Sequence, residues 1–209
     1  MLTIYISCME DVLTDVDGYY VLDFNSFPKL EDFAGHLLDG RLWFGKYPTP
    51  EELETIKKNK FTHIVNLCTS EEITWTPYLP PSSLHYIAYP FEDGQKQRPQ
   101  TENGDISQWT SFPPFIKSLV KILGMKQNKV YIHCKGGHGR SPTVCAIIYG
   151  LIKKVDALKA MKIIRAAHQE RKVMDPKWRK LGAPQRAKQK KIVCNFLGME
   201  SSCQTILGV

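Results

Sequence analysis

VYIHCKGGHGRS, residues Val130 to Ser141, places a cysteine after a short apolar run, three glycines within the next five residues, and an arginine six positions beyond the cysteine. Val, Tyr and Ile before the cysteine favour a buried strand, and the Ser141-Pro142 pair opens an apolar segment typical of a helix. Glycines let successive backbone N–H groups point toward the centre of a loop, and the N-terminus of the following helix adds the positive end of its dipole. The stretch predicts an anion-binding loop between a strand and a helix, in which Arg140 can bind two oxygens of one anion.

Cys134 lies at the base of this predicted loop. The loop amides, the helix N-terminus and Arg140 all favour the thiolate, which is the nucleophilic form of cysteine. The hydroxyl of Ser141 can hydrogen-bond the sulfur and stabilise it as a leaving group. A phosphoryl group suits the same place because fixed dipoles stabilise its charge in the transition state. The predicted phosphate-binding residues are Lys135, Gly136, Gly137, His138, Gly139 and Arg140.

On both sides of the loop, strand and helix patterns alternate. Strands are predicted at 41–45, 61–67, 84–89 and 129–133, and helices from the Thr49-Pro50 capping box to about Lys58, at 115–123 and from Ser141. Three amphipathic helices follow at 156–169, 175–181 and 185–196. The order predicts an α/β fold with a central, mostly parallel sheet flanked by helices on both sides. We assign residues 1–40 to an acidic N-terminal extension, 41–197 to one domain and 198–209 to a C-terminal tail.

Composition excludes several classes of protein. With 209 residues, 43% hydrophobic and 23% charged, the chain is an ordinary globular protein rather than a disordered, collagenous or disulfide-scaffold protein. Its longest apolar run, Val144 to Ile152, is too short to span a bilayer, and its N-terminus lacks the features of a signal peptide. We therefore expect an intracellular, cytoplasmic monomer or homodimer, with a nuclear location left open. The six cysteines lack paired short spacing, so no metal and no cofactor are expected.

Positive charge is concentrated near the C-terminus. The formal net charge is +7, yet residues 153–191 alone carry fourteen Lys or Arg residues and three acidic residues. Such asymmetry indicates an anionic partner for one face, although a solvated helical surface is the alternative interpretation.

Residues His133 to Ser141 match the HCxxxxxRS signature of the cysteine-dependent protein tyrosine phosphatase superfamily, and the layout from Arg41 onward resembles its dual-specificity branch. The resemblance implies an enzyme that forms a cysteinyl phosphate on Cys134 and hydrolyses phosphotyrosine in phosphorylated protein substrates, with phosphoserine and phosphothreonine as further substrates. Phosphoinositides and RNA 5′-phosphates remain alternative substrates. A non-catalytic phosphate-binding module is the alternative from a different class.

The family also supplies an aspartate as general acid from a loop upstream of the cysteine. Asp93 follows a predicted strand directly, within Pro90-Phe91-Glu92-Asp93-Gly94, and lies 41 residues before Cys134. Asp105 lies 29 residues before Cys134, which is nearer the family's usual gap. We choose Asp93 because its position after a strand resembles the acid-bearing loop, and we expect Asp105 to cap the following helix.

Three further residues take roles from the resemblance. Gln185 and Gln189 have the spacing of the two glutamines that position water in strict tyrosine phosphatases, although Arg186 stands where that loop usually has threonine. Exposed glutamines on a helix are the alternative. Cys68 ends a strand parallel to the one that leads to Cys134, and in the phosphatase-and-tensin type the matching cysteine can form a reversible disulfide with the nucleophile. Simple strand packing is its alternative.

Overall fold

The computed structural model describes residues 27–73, 78, 80–90 and 111–198, with the backbone alone for 13–16, 19–22 and Ile73. Asp93, Asp105 and most of the predicted C-terminal tail lie outside the described residues. Within them, the structure contains a two-stranded antiparallel hairpin, formed by β1 (Leu13–Val16) and β2 (Tyr19–Leu22), and a larger sheet.

The larger sheet has five strands in the order β3-β4-β7-β5-β6. The strands are β3 (Ala34–Leu37), β4 (Leu42–Gly45), β5 (His63–Asn66), β6 (His85–Ala88) and β7 (Val130–His133). Three of its four pairings are parallel, and only β3 runs antiparallel to its neighbour β4. The prediction of a mostly parallel central sheet is confirmed.

Eight helices are found among the described residues. They are α1 (Leu30–Phe33), α2 (Pro50–Lys58), α3 (Ser70–Ile73), α4 (Phe112–Gly124), α5 (Arg140–Lys153), α6 (Ala157–Gln169), α7 (Pro176–Leu181) and α8 (Ala187–Leu197). Thr49 and Glu52 form the predicted capping box at the start of α2. The N-cap of α4 is Ser111, so the expectation that Asp105 caps this helix is wrong. The cap has to be adjacent to the first helical residue, and Asp105 is too far upstream.

The helices cover both faces of the sheet. Side chains along β4 alternate between the two faces of the sheet. Leu42 and Phe44 pack in one core, with residues of α4, α5, α6 and α8. Trp43 packs in the other core, with residues of α1 and α2. Along β7, Ile132 and Tyr131 divide in the same way. Strands β4 and β7 are thus buried on both faces, as expected of inner strands in a parallel sheet, whereas the edge strand β6 has two exposed residues, His85 and Tyr86.

The short elements that the sequence does not predict include β3 and α3. Residues 34–37, which belong to the predicted N-terminal extension, form β3 and pair with β4 at the edge of the sheet. Ala-Gly-His-Leu contains no β-branched residue, so its strand conformation depends on pairing with β4 rather than on propensity. Helix α3 has a single turn, too short to give a periodic pattern.

The strand register brings several chain segments to one edge of the sheet. Gly45 and Asn66 are both in register with His133, and Asn66 is in register with Ala88. Because these four strands are parallel, the segments that follow them all leave the sheet at this edge, among them the loop that begins at Cys134.

Candidate active site

The loop from Cys134 to Gly139 connects β7 to α5, as the sequence predicts. Gly137 has φ +72°, and a Cβ at this residue would lie 2.4 to 2.7 Å from backbone atoms of Gly45 and Lys46. Only glycine tolerates both the dihedral angle and the contact. The loop is therefore pressed against the end of β4, where the Tyr47 amide also donates to the Lys135 carbonyl (3.2 Å).

Cys134 is buried at the base of the loop, with its side chain next to Ser141. The Cys134 Sγ lies 3.4 Å from the Ser141 Oγ, and that Oγ lies 3.1 Å from the Gly45 carbonyl oxygen. A hydroxyl has one proton, so Ser141 can donate either to the carbonyl or to the sulfur. A thiolate is the stronger acceptor because it is charged, and Ser141 can turn its proton toward the sulfur when Cys134 ionises.

Arg140, at the start of α5, is oriented by a carboxylate from a different element. Its two Nη atoms each lie 2.6 Å from one carboxylate oxygen of Glu72 on α3, and its Nη1 also donates to the Leu67 carbonyl (3.1 Å). Burial disfavours the charged form of Glu72, but the bonds from Arg140 and the Thr69 amide prevail and lower the pKa of Glu72. Glu72 thus remains ionised and binds the Nη1–Nη2 end of the guanidinium rather than the edge that carries Nε.

A second buried arginine supports the loop from below. Arg171 follows α6, is 3% exposed, and donates from Nη2 to the carbonyl oxygens of Gly137 and Phe44, both at 2.9 Å. These bonds tie the glycine loop to β4 through one side chain. Burial lowers the pKa of Arg171 to about 10, which still leaves it charged at neutral pH.

His138 is held by aromatic neighbours on the rim of the loop. Its Nδ1 lies 2.8 Å from the Nε2 of buried His168 on α6, and its ring stacks on Trp178 of α7 with centroids 5.0 Å apart. Burial, followed by the charge of Arg171, lowers the pKa of His138 to about 4 and that of His168 to about 3. At neutral pH the loop therefore gains positive charge from Lys135 but none from His138.

His133, which precedes the nucleophile, is also neutral. It is fully buried, its Nε2 lies 2.7 Å from the Tyr78 hydroxyl, and burial together with the charge of Arg140 lowers its pKa to about 3. Tyr47 packs edge-on against the same imidazole. His133 thus bonds the end of β7 to Tyr78 and remains a neutral imidazole near pH 7.

The remaining predicted residues are placed as follows. Cys68 is a buried free thiol two residues beyond β5, and burial and the nearby Cys134 raise its pKa. The Leu67 amide, next to Cys68, donates to the His133 carbonyl, next to Cys134 (3.0 Å). Gln189 is 2% exposed, and its Oε1 accepts from the Arg186 amide at the start of α8 (2.9 Å), whereas Gln185 is half-buried. Gln189 therefore has a capping role in addition to any role toward water.

Two residues of this site were missed in the sequence. Glu72 and Arg171 contact the loop from positions 68 and 31 residues away from Arg140, and no local pattern joins them to it. A partial signal exists for Glu72, since Thr69-Ser70-Glu71-Glu72 has the spacing of a capping box and the Thr69 amide donates to the Glu72 carboxylate (3.0 Å). Nothing comparable marks Arg171.

No group of three or more His, Cys, Asp or Glu side chains among the described residues could hold a metal ion. Within the same part of the chain, every helix is too short or too polar to cross a membrane.

Comparison with known proteins assigns the family. Residues 42–186 match the model of the dual specificity phosphatase catalytic domain, so the chain belongs to this family. It is 32% identical over 140 residues to "Putative tyrosine phosphatase 197R" of Invertebrate iridescent virus 6, covering 66% of this chain and 49% of that protein. It is 28% identical over 159 residues to "Putative tyrosine phosphatase 067L" of Invertebrate iridescent virus 3, covering 74% of this chain and 61% of that protein. The chain thus spans about half of the first relative and three fifths of the second.

Among solved structures, the crystal structure of Tk-PTP in its active form aligns with a TM-score of 0.55 and 21% identity, covering 78% of this chain and 95% of that one. At this identity the likeness shows the fold alone. The phosphatase fold that the resemblance implied is confirmed.

Proposed function

We propose that the protein hydrolyses phosphotyrosine in protein substrates, with phosphoserine and phosphothreonine as further substrates, through a phosphocysteine on Cys134. The observation that carries the proposal is the buried Cys134 sulfur at the base of the glycine loop, 3.4 Å from the Ser141 hydroxyl. Because Cys134 is only 3% exposed, a long aryl ester reaches its sulfur more readily than a short alkyl ester does. This depth favours phosphotyrosine.

The reaction would proceed in two displacements at phosphorus. In the first, the Cys134 thiolate forms an S–P bond while the P–O bond to the leaving group breaks, and the leaving oxygen takes a proton from the general acid. In the second, the carboxylate left by the general acid takes a proton from a water molecule as its oxygen attacks phosphorus, the S–P bond breaks, and inorganic phosphate leaves. The loop amides and Arg140 would hold the phosphoryl oxygens throughout, and Ser141 would donate to the departing sulfur. In this scheme Gln185 and Gln189 are assigned to the attacking water.

The general acid in this scheme is Asp93. It follows Ala88, the last residue of β6, by five positions, which corresponds to a reach of up to ~17 Å of extended chain. Since β6 ends at the edge of the sheet where the loop begins, this distance supports Asp93 as the acid. Asp105 follows β6 by seventeen positions and carries no comparable constraint.

The test compares C134S, D93N and D105N on a series of aryl phosphates, with a chelator present throughout. C134S should lose turnover by about 10⁴-fold or more, since a nucleophile is removed. D93N should lose about 10²-fold or more on esters with poor leaving groups and much less on activated esters, because only poor leaving groups need a proton. If D105N alone shows this dependence, Asp105 is the acid. Phosphate binding without turnover by the wild-type protein would reveal a binding module.

A further inference from the structure

Helices α6 and α7 carry a group of exposed cations that the proposed reaction does not use. Lys159, Lys162 and Arg165 recur every three residues along α6, which places them on one side of that helix. Lys177 and Lys180 lie on α7, and Arg165 Nη2 donates to the Lys180 carbonyl (3.5 Å), so the two sets adjoin. These five residues are called the cationic face below.

The cationic face lies beside the phosphate loop. Trp178, between Lys177 and Lys180 on α7, stacks on His138 of the loop, and the C-terminal end of α6 contacts the same imidazole through His168. Arg179 donates to the carbonyl oxygens of Gln169 and Arg171, which holds α7 against the end of α6. A chain segment that extends from a phosphate bound in the loop can therefore run along this face.

No acidic side chain among the described residues forms an ion pair with the cationic face. Three ion pairs exist within this part of the structure, and all of them lie elsewhere. Of the three acidic residues between 153 and 191, Asp156 caps α6 by accepting from the Lys159 amide (2.7 Å), and Asp175 caps α7 by accepting from the Lys177 amide (2.7 Å). The third, Glu170, is exposed at the C-terminal end of α6 and belongs to none of the three ion pairs. The carboxylates of Asp156 and Asp175 thus accept hydrogen bonds from backbone amides, and the lysine ammonium groups remain available to an external anion.

Trp178, the aromatic residue beside the cationic face, already contacts two side chains of the protein. Single-stranded nucleic acid is usually bound by cations together with open aromatic rings on which bases stack. Here the Trp178 ring stacks on His138, and the Lys177 ammonium lies over the same ring at 5.2 Å from its centroid. A surface that offers ammonium groups but whose aromatic ring has partners of its own fits carboxylates better than bases.

We propose that the cationic face binds acidic residues next to the phosphorylated residue of a protein substrate. The proposal rests on the proposed function, because it adds a sequence preference to the same phosphatase site. Mixed lysine and carboxylate contacts at an exposed surface are individually weak and screened by salt, so several must act together. The expected signature is a preference in KM that depends on ionic strength.

The experiment uses the full chain and two phosphotyrosine peptides of equal length, one with four acidic residues beside the phosphotyrosine and one with glutamines in their place. At low salt, kcat/KM for the acidic peptide should exceed that for the glutamine peptide by about tenfold, and at 0.5 M salt by about twofold or less. In K162E/K180E the low-salt ratio should fall to about one. The control K117E/K126E changes the net charge equally on two exposed lysines, one in the middle of α4 and one just after its end, and should keep the tenfold ratio.

Each outcome decides one of the two proposals. The rate of every variant on phenyl phosphate, which reaches only the loop, normalises its peptide rates. Turnover of both peptides at equal rates, or equal loss of preference in both double variants, would overturn the cationic face while leaving the phosphatase intact. No turnover of either peptide would overturn the proposed function instead. If K162E/K180E selectively lost turnover of a 5′-phosphorylated oligoribonucleotide and showed no effect on peptides, the face would belong to RNA and the acidic-peptide proposal would be wrong.

Discussion

The carboxylate of Glu72 binds the guanidinium of Arg140 through two contacts of 2.6 Å, one to each Nη atom. Arg140 is 3% exposed in this pair, whereas the surface pair between Lys57 and Glu54 is half-exposed and 3.5 Å apart. A planar, bidentate pair fixes the rotation of the guanidinium before any anion arrives. The loop is therefore preorganised, because its arginine does not have to be ordered at the expense of binding free energy.

Replacing Glu72 by glutamine should impair the reaction without removing any group that touches phosphate. Glutamine has one acceptor oxygen and no charge, so it cannot hold both Nη atoms, and the guanidinium gains rotational freedom. We expect kcat/KM on phenyl phosphate to fall by about tenfold or more. Steady-state kinetics of E72Q against E54Q make the comparison, since E54Q removes the exposed pair and should change little. Equal kinetics for E72Q and the wild type would show that Arg140 does not need this carboxylate.

Removing the Ser141 hydroxyl should slow the second displacement more than the first. Ser141 Oγ lies 3.4 Å from the Cys134 sulfur, and its proton can stabilise the thiolate that leaves when phosphocysteine is hydrolysed. We expect S141A to lower kcat by about tenfold and to show a burst of one equivalent of phenol in rapid-mixing experiments. A lower kcat without any burst would place the effect on formation of phosphocysteine instead.

Cys68 should protect the nucleophile from irreversible oxidation. The backbones of Leu67 and His133, which precede the two cysteines, are hydrogen-bonded at 3.0 Å. Peroxide converts the Cys134 thiolate to a sulfenic acid, and attack by the Cys68 sulfur then releases water and forms a disulfide. Peptide mapping after mild peroxide should find Cys68 linked to Cys134, with activity restored by a thiol reductant. C68S should lose activity irreversibly, and the control C145S should behave as the wild type. A Cys134–Cys145 link would contradict the assignment.

The sequence revealed the parts of the site that are local. The cysteine, the glycines and Arg140 lie within seven residues. A glycine is found at position 137 because the backbone there has a positive φ, which only glycine adopts easily. The same holds for the capping box of Thr49 and Glu52, whose bonds join residues three apart. Such features can be read from one segment because the interacting groups are fixed by that segment's own backbone.

The supporting contacts could not be read in this way. Arg171 is one of fourteen basic residues between 153 and 191, and only the packing of α6 beside β3 and α5 brings it beneath Gly137. The charge of His138 is a second example: the residue lies on an anion-binding loop, yet burial against His168 and Trp178 keeps its imidazole neutral. Both results depend on packing against distant segments, which a local sequence pattern does not report, and for His138 that packing acts through desolvation.

The buried histidines should make folding stability depend on pH below neutrality. His133, His138 and His168 have pKa values of about 3, 4 and 3 in the folded protein, against an ordinary value of 6.5. Between pH 6.5 and 4 the unfolded chain binds protons that the folded chain does not, so the free energy of unfolding decreases as pH falls through this range. Above pH 6.5 these histidines no longer lower it. We expect the urea midpoint of the wild type to drop steadily from pH 7 to pH 5.

The variant H168Q isolates one of these three groups. Removing one buried imidazole should make the drop in urea midpoint between pH 7 and pH 5 smaller, because each such histidine contributes up to one proton to the difference between the two states. The control H36Q replaces an exposed histidine on β3 and should retain the full drop. H168Q should also be less stable than the wild type at pH 7, since the bond to His138 Nδ1 is altered. A midpoint in H168Q that fell as steeply as in the wild type would mean that His168 is already protonated in the folded protein, and the neutral pair with His138 would have to be abandoned.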